Sequence, residues 1–271
     1  MGLYKSAAVD VLIKGAGDLA SGVAHKLHNA GMSVVLTELP RPACVRCAVS
    51  FSRVVYEHSC SVEGVEAQLA LDNEAIPQLL ASGKIAVSLQ DSRLLLSALR
   101  PQVFVEATLS KRNSGVSLQD ASCVIALGPG YTASVDCHAV IETMRGHDLG
   151  RVFYQGSALP DTGQPGLIDG YGGERLLRAP AEGLFRPCCK IGARVQAGQI
   201  VAYVGDYPLL CGIGGVLRGL LPSGTPVYKG MKSGDVDPRG CVEYCFSISD
   251  KARCVAGGVL EAVGHCRPVV G

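Results

Sequence analysis

Apolar and polar positions alternate in blocks along the first half of the chain. Val9 to Lys14 is a short apolar run that passes directly into Gly15-Ala16-Gly17-Asp18-Leu19-Ala20. A helical pattern follows to about Gly31, and a second apolar run, Ser33 to Thr37, is closed by Glu38. Strand character returns over Cys60 to Leu71, Ile85 to Leu89, Gln102 to Leu109 and Cys123 to Leu127. Helices are predicted over Asn73 to Ala81, stopped by Gly83, and over Ser92 to Leu99. Another is predicted over Val135 to Met144, behind the loop Gly128-Pro129-Gly130-Tyr131, and Arg151 to Tyr154 reads as a further strand. Strands alternating with helices imply a mainly parallel sheet covered on both faces. Ligands of such sheets bind at the carboxyl ends of the strands.

The second half follows a different pattern. Residues 183–198 read GLFRPCCKIGARVQAG and residues 215–230 read GVLRGLLPSGTPVYKG. Gly183 and Gly215, Arg186 and Arg218, Gly192 and Gly224, Val195 and Val227, and Gly198 and Gly230 are pairs at one constant offset, the mark of an internal repeat. Glycines spaced between short Val-, Ile- and Leu-rich runs predict brief strands with tight turns. With Arg178-Ala179-Pro180-Ala181-Glu182-Gly183, Ile191-Gly192 and Gly198-Gln199, this stretch resembles the lipoyl- and biotinyl-carrier domains. That resemblance implies an all-β barrel-sandwich hybrid made of two interlocked hairpin halves. Met231-Lys232 follows the second copy instead of separating the two, so Lys232 reads as a solvated turn lysine and not as a modified one.

These patterns predict an α/β protein: a Rossmann-like nucleotide-binding domain over 1–158, a Gly/Pro-rich linker over 159–177, a doubled β barrel-sandwich module over 178–240, and a C-terminal segment over 241–271 that packs back on the first domain.

The candidate chemistry sits mainly at the first glycine turn. Gly15 supplies the turn angles, Gly17 leaves room for a pyrophosphate, and the first amides of the following helix point at the anion. Glu38 is placed to take ribose hydroxyls, while Asp18 sets a negative charge beside the phosphate site or caps the helix. Arg41 lies close enough after Glu38 to keep both NAD and NADP open. Gly128 and Gly130 form a second glycine loop, which feeding a helix would hold another phosphate or carboxylate. On that helix His138 and Glu142 share one face, with Asp136 near the start and Arg145 at the end. His138, Lys111 and Asp136 are the candidate catalytic groups, and Lys111 and Arg145 the candidate phosphate-neutralising cations. The loop Pro160 to Gly173, with Asp161 and Tyr171, is long enough to be functional or mobile.

Composition narrows this only a little. The formal net charge is +1, so no surface field for nucleic acid or membrane is expected. No apolar stretch approaches the roughly 18 residues of a membrane span. No secretory signal is recognisable, and the expected location is cytoplasmic. Met1 to Ser6 fits a short myristoylation pattern. The 12 cysteines are dispersed; Cys44 and Cys47 alone have two intervening residues, and four zinc ligands usually come as two such pairs, so no metal site is expected.

Several stretches together resemble a known family. They are GAGDLASGVAHKL, TELPRP, VSFSRVVYE, GPGYTASVDCHAVIETMRGHDLGRV, PDTGQPG, RAPAEG, GVLRGLLPSGTPV, SGDVDPRG and EYCFSISDKARCVAGGVLEAV. The chain resembles the bacterial selenium-dependent molybdenum hydroxylase system proteins, relatives of the xanthine dehydrogenase accessory proteins. The resemblance implies an accessory factor for maturation of a selenium-dependent molybdenum hydroxylase. Its partner would be that hydroxylase, and its ligand a nucleotide, NAD(P) or the nucleotide-bearing molybdenum cofactor. Self-association is left open. The alternatives are an NAD(P)-dependent oxidoreductase acting on a small metabolite, with His138 or Lys111 as acid/base, and a non-catalytic nucleotide-sensing module.

Overall fold

The structure is a computed structural model, and it describes residues 9–266. The myristoylation pattern therefore lies outside the described residues. The chain divides into two units, the first built from Met1–Pro40, Phe51–Asp161 and Ser249–Gly271, the second from Arg41–Ser50 and Thr162–Ile248.

The first unit carries strands β1 (Val11–Lys14), β2 (Val34–Thr37), β3 (Ser59–Val62), β4 (Val65–Ala70), β5 (Ile85–Ser88), β6 (Val103–Glu106), β7 (Cys123–Leu127), β8 (Ala139–Ile141) and β9 (Val152–Phe153). Its helices are α1 (Asp18–Asn29), α2 (Val54–Glu57), α3 (Ala75–Ala81), α4 (Ser92–Leu99) and α5 (Asp250–Cys266). The nine strands form one sheet in the order β3-β4-β5-β2-β1-β6-β7-β8-β9. β1 lies in its middle, with Val11, Leu12 and Ile13 sealed from solvent. A parallel strand covered on both faces needs such an unbroken apolar run. Asp91 caps α4, its carboxylate accepting from the Arg93 amide at 2.8 Å.

α5 packs along α1 and reaches β7, β8 and β9. The two helices approach closely because Gly22 faces Ala252; a Cβ on Gly22 would stand 2.9 Å from the Ala252 Cβ. Cys123 of β7 and Cys266 of α5 are joined as a disulfide, their Cα atoms 5.7 Å apart. No spacing in the sequence indicates that pair.

The second unit carries β10 (Leu176–Arg178), β11 (Gly183–Pro187), β12 (Arg194–Val195), β13 (Ile200–Val204), β14 (Tyr207–Leu210), β15 (Gly215–Leu220), β16 (Pro226–Val227) and β17 (Lys232–Asp237). They form two four-stranded antiparallel sheets, β10-β17-β15-β12 and β14-β13-β11-β16. The two copies of the repeat exchange their short strands: β12 of the first pairs with β15 of the second, and β16 of the second with β11 of the first. Leu177, Phe185, Val201, Leu217 and Val236 fill the core of this unit.

Both parts of the expected fold class are corrected. The first sheet is mixed and not a Rossmann-like parallel sheet: β3 pairs antiparallel with β4 at one edge, and β9 with β8 at the other. The run Cys60 to Leu71, read as one strand, turns at Glu63-Gly64, whose positive φ angles let the chain reverse. The second unit is two separate antiparallel sheets and not a self-contained lipoyl-like barrel-sandwich over 178–240. Val45, from far upstream, accepts from the Leu220 amide at 2.8 Å, and a Cβ on Gly219 would meet the Val45 carbonyl oxygen at 2.9 Å. Lys232 opens β17 as an exposed strand residue, opposite Arg178. Among the described residues no helix is long and apolar enough to cross a membrane.

Candidate functional site

The carboxyl ends of β1 and β6 lie side by side, with Lys14 opposite Glu106. β1 stops at the glycine turn because Gly15 adopts φ +99°, a conformation that side chains disfavour. The turn packs on the chain leaving β6; a Cβ on Gly15 would meet Ala107 and Thr108 at 3.5 Å.

The Ala16 peptide is clamped at both ends. Its N–H donates to Glu38 Oε2 at 3.0 Å, and its carbonyl accepts from Ser21 Oγ at 3.0 Å and the Ser52 amide at 2.9 Å. The other oxygen of Glu38 accepts from the Leu39 amide at 2.8 Å. Burial pushes the Glu38 carboxyl above its ordinary value, against the opposing pull of the Leu39 and Ala16 amides. Glu38 therefore holds the turn through Oε2, while Oε1 closes on its own following amide.

Gly17 caps α1 with no side-chain hydrogen bond, at φ −69°. A Cβ there would meet nothing within 4 Å. The first-turn amides of a helix have no intrahelical partner, and they carry the positive end of its dipole. Asp18 opens the helix at this point.

Beside the turn stands a polar group that brings together the strand-end segments after β6 and β7, with Lys14 and Ser114 as members the sequence did not single out. Lys14 Nζ lies 3.0 Å from Glu106 Oε2 and donates to Ser114 Oγ at 2.8 Å. Ser114 Oγ also donates to Glu106 Oε2 at 2.8 Å, and Thr108 donates from its amide to Glu106 Oε1 at 2.9 Å. Glu106 is fully buried, and these contacts satisfy both its oxygens. Tyr131, also buried, places its hydroxyl 3.0 Å from Ser110 Oγ and 3.4 Å from Ser114 Oγ. The one local signal for this group is a lysine closing an otherwise apolar strand. Its partners are Glu106 and Ser114, distant in sequence.

The other candidate residues are held by contacts of their own, some of them on the loop that carries Ser114. The predicted helix over Val135 to Met144 is absent, and β8 runs through its middle. Gly128 and Gly130 therefore have no helix N-terminus behind them. Gly130 instead lets the loop after β6 approach; its Cβ would fall 2.4 Å from Arg112 N. His138 Nδ1 accepts from the Val124 amide at 3.0 Å, while its own amide donates to Val124 O, so the ring continues the β7 edge. Asp136 ties two loops, accepting from the Thr132 amide at 2.7 Å and from Asn113 Nδ2 at 2.9 Å. Arg145 is paired with both oxygens of Asp250, at 2.6 and 2.7 Å. Lys111 pairs with Asp161 at 2.6 Å. Buried Glu142 accepts from the Thr143, Met144 and Leu159 amides.

Among the described residues no three His, Cys, Asp or Glu side chains gather as a metal site. Cys137 is buried, and burial, with the Asp136 charge, pushes its thiol up to about 12. Iodoacetamide at pH 8 is expected to label exposed Cys254 in the native protein and to leave Cys137 unmodified until unfolding, as read by peptide mapping. Labelling of Cys137 at the rate of Cys254 would contradict that burial.

No family model matches the chain. The chain is 46% identical over 253 residues to the uncharacterized protein YqeB of Escherichia coli (strain K12), a match covering 93% of this chain. It spans about half, 47%, of that relative's length. Among solved structures it is similar to an aspartoacylase family protein from Mesorhizobium loti, at 12% identity over 84% of each chain with a TM-score of 0.26. It is also similar to a succinylglutamate desuccinylase/aspartoacylase from Rhodobacter sphaeroides, at 24% identity over 24% of this chain and 22% of that one, with a TM-score of 0.22. Overlaps this low establish no common fold or reaction.

The resemblance to molybdenum hydroxylase system proteins is corrected accordingly. None of these proteins is described as a molybdenum or selenium protein, or as an accessory factor, so the maturation role and its selenium dependence are withdrawn. The oxidoreductase and sensing alternatives are withdrawn with it. None of these proteins is described in those terms, and Glu38 and His138 are engaged in holding the backbone.

Proposed function

We propose that the first unit binds a small phosphate-bearing ligand, of nucleotide size or smaller, at the carboxyl ends of β1 and β6. The observation that carries this reading is the uncapped start of α1 at Gly17, open on its Cβ side, behind a turn clamped through Ala16. The rigid turn costs little ordering on binding, and first-turn amides without an intrahelical partner favour an anion. Lys14, anchored by Glu106 and Ser114, supplies a cation at the neighbouring strand end.

Gly17→Val is a clean test. The position has negative φ and empty space around its Cβ, so the fold tolerates the side chain while the approach of a phosphate is blocked. Titration calorimetry with ATP and with pyrophosphate is expected to show binding by the native chain and a loss of at least about tenfold in the variant. Equal affinity in a variant with an unchanged melting temperature would remove the assignment.

A further inference from the structure

A regular strand sends successive side chains to opposite faces. β11 departs from that rule just past its end. It runs in register against β13 as far as Pro187, opposite Ala202. The amides of Cys188 and Cys189 then both donate to Val201 O, at 2.9 and 3.3 Å. Two residues stand against one, as in a β-bulge, and a bulge re-aims its side chains. Both sulfurs come to one place: Cys188 Sγ donates to Ile200 O at 3.7 Å, and Cys189 Sγ to the same oxygen at 3.9 Å. Gln199 Nε2 donates to Cys189 Sγ, also at 3.9 Å. Cys188 is exposed and Cys189 half-buried, so the pair is open to solvent.

The repeat shows that these thiols are not there for packing. Their counterparts in the second copy, Leu220 and Leu221, are buried, at 4% and 1% exposure. Arg218 is buried with them, whereas its counterpart Arg186 is exposed. A free cysteine ordinarily behaves as a small buried hydrophobe, and Cys188 does not. A third thiol, Cys211, belongs to the core of the unit; its burial, then the Cys189 thiol, push it up to about 11, so it keeps its proton at neutral pH.

We propose that Cys188 and Cys189 together bind a monovalent, thiophilic metal ion of the copper(I) class. Paired thiolates are soft ligands, which favour copper(I), and that ion is content with two donors. Zinc asks for four, and among the described residues no three His, Cys, Asp or Glu side chains gather. On binding, two S–H protons leave to solvent and two sulfur–metal bonds form, with no change of oxidation state. The Gln199 amide remains as a hydrogen-bond donor to the Cys189 sulfur, orienting it from outside. This site lies within the second unit and does not depend on the phosphate site of the first.

The test uses the full chain under argon, so that the free thiols stay reduced. Copper(I) is offered as its bicinchoninate complex, whose colour falls as the protein takes the metal. Uptake of one equivalent per chain is expected, and loss of that equivalent in Cys188→Ser and in Cys189→Ser. Cys44→Ser, which breaks the Cys44–Cys47 pair, and Cys254→Ser, which removes an exposed single thiol, should both retain it. Burial, then the neighbouring Cys189 thiol, hold the Cys188 thiol above its ordinary value, so it is protonated at neutral pH and uptake should strengthen as pH rises. Exposed Cys188 tolerates serine, and its variant decides alone if Cys189→Ser fails to fold. No transfer of copper from bicinchoninate, or an equivalent retained in Cys188→Ser, would overturn the site. So would its loss in Cys44→Ser.

Discussion

Asp237→Ala is expected to destabilise the second unit by about 3–5 kcal/mol at pH 7, the usual cost of removing one partner from a buried ion pair. Asp237 is 1% exposed and serves both Arg218 and Arg239. Without it Arg218 loses its ion pair and keeps only the pull of Asp235, which Arg175 already uses, and the hydrogen bonds from Arg239 are lost together. The pH dependence has a definite sign. Burial works to raise the Asp237 carboxyl, but the hydrogen bonds from the Arg239 side chain and amide, with the Arg218 and Arg239 charges, outweigh it and hold the group below its ordinary value. A carboxyl lowered on folding contributes stability that is fully present above its unfolded value and is lost as pH falls through its folded value. The gap between native protein and variant should therefore be widest near neutrality and narrow as the solution becomes acidic. Urea unfolding at neutral and acid pH measures it. A gap under about 1 kcal/mol at pH 7, the level of a surface pair, would show that Asp237 is hydrated and not buried.

What the sequence showed and what it hid divide along the range of the interactions involved. The passage from β1 through Gly15 and Gly17 into α1 and β2 is local turn and periodicity chemistry, and its elements fall within two residues of their expected limits. Val135 to Met144 failed as a helix because Val140 and Ile141 pair with neighbouring strands, an arrangement set by β7 and β9, not by nearby residues. His138 and Glu142 look like a helical pair for the same reason. Glu38 stands at the spacing expected of a ribose ligand, but spacing does not reveal which hydrogen bonds a folded carboxylate already makes. Lys14, Glu106 and Ser114 meet only when β6 docks on β1. The repeat was legible residue by residue, whereas the exchange of β12 and β16 between its copies was not. Nor was the difference between Arg186 in solvent and Arg218 in the interior, since identical repeat positions can face opposite environments once two sheets form.

Gly130→Ala combines two costs, and its effect should reach the β1–β6 site. Gly130 holds φ +101°, and its Cβ would fall 2.4 Å from both Lys111 C and Arg112 N, backbone atoms that cannot swing aside. Positive φ on a side-chain-bearing residue and overpacking each cost roughly 1–3 kcal/mol, so a loss of about 2–6 kcal/mol is expected. The loop after β6 must retreat to relieve the clash. That loop carries Ser110, which meets the Tyr131 hydroxyl, Asn113, which holds Asp136, and Ser114, which bridges Lys14 and Glu106. Phosphate-ligand binding by the first unit should weaken along with stability. Gly146→Ala separates the two costs: it also has positive φ, +140°, but nothing lies within 4 Å of its Cβ. It should lose only the strain, roughly 1–3 kcal/mol, and leave binding unchanged. Thermal melts of the two variants beside the native chain decide the matter. Equal melting temperatures would mean that the loop over residues 110–114 yields freely, and Gly130 would then have no part in holding Lys14 in place.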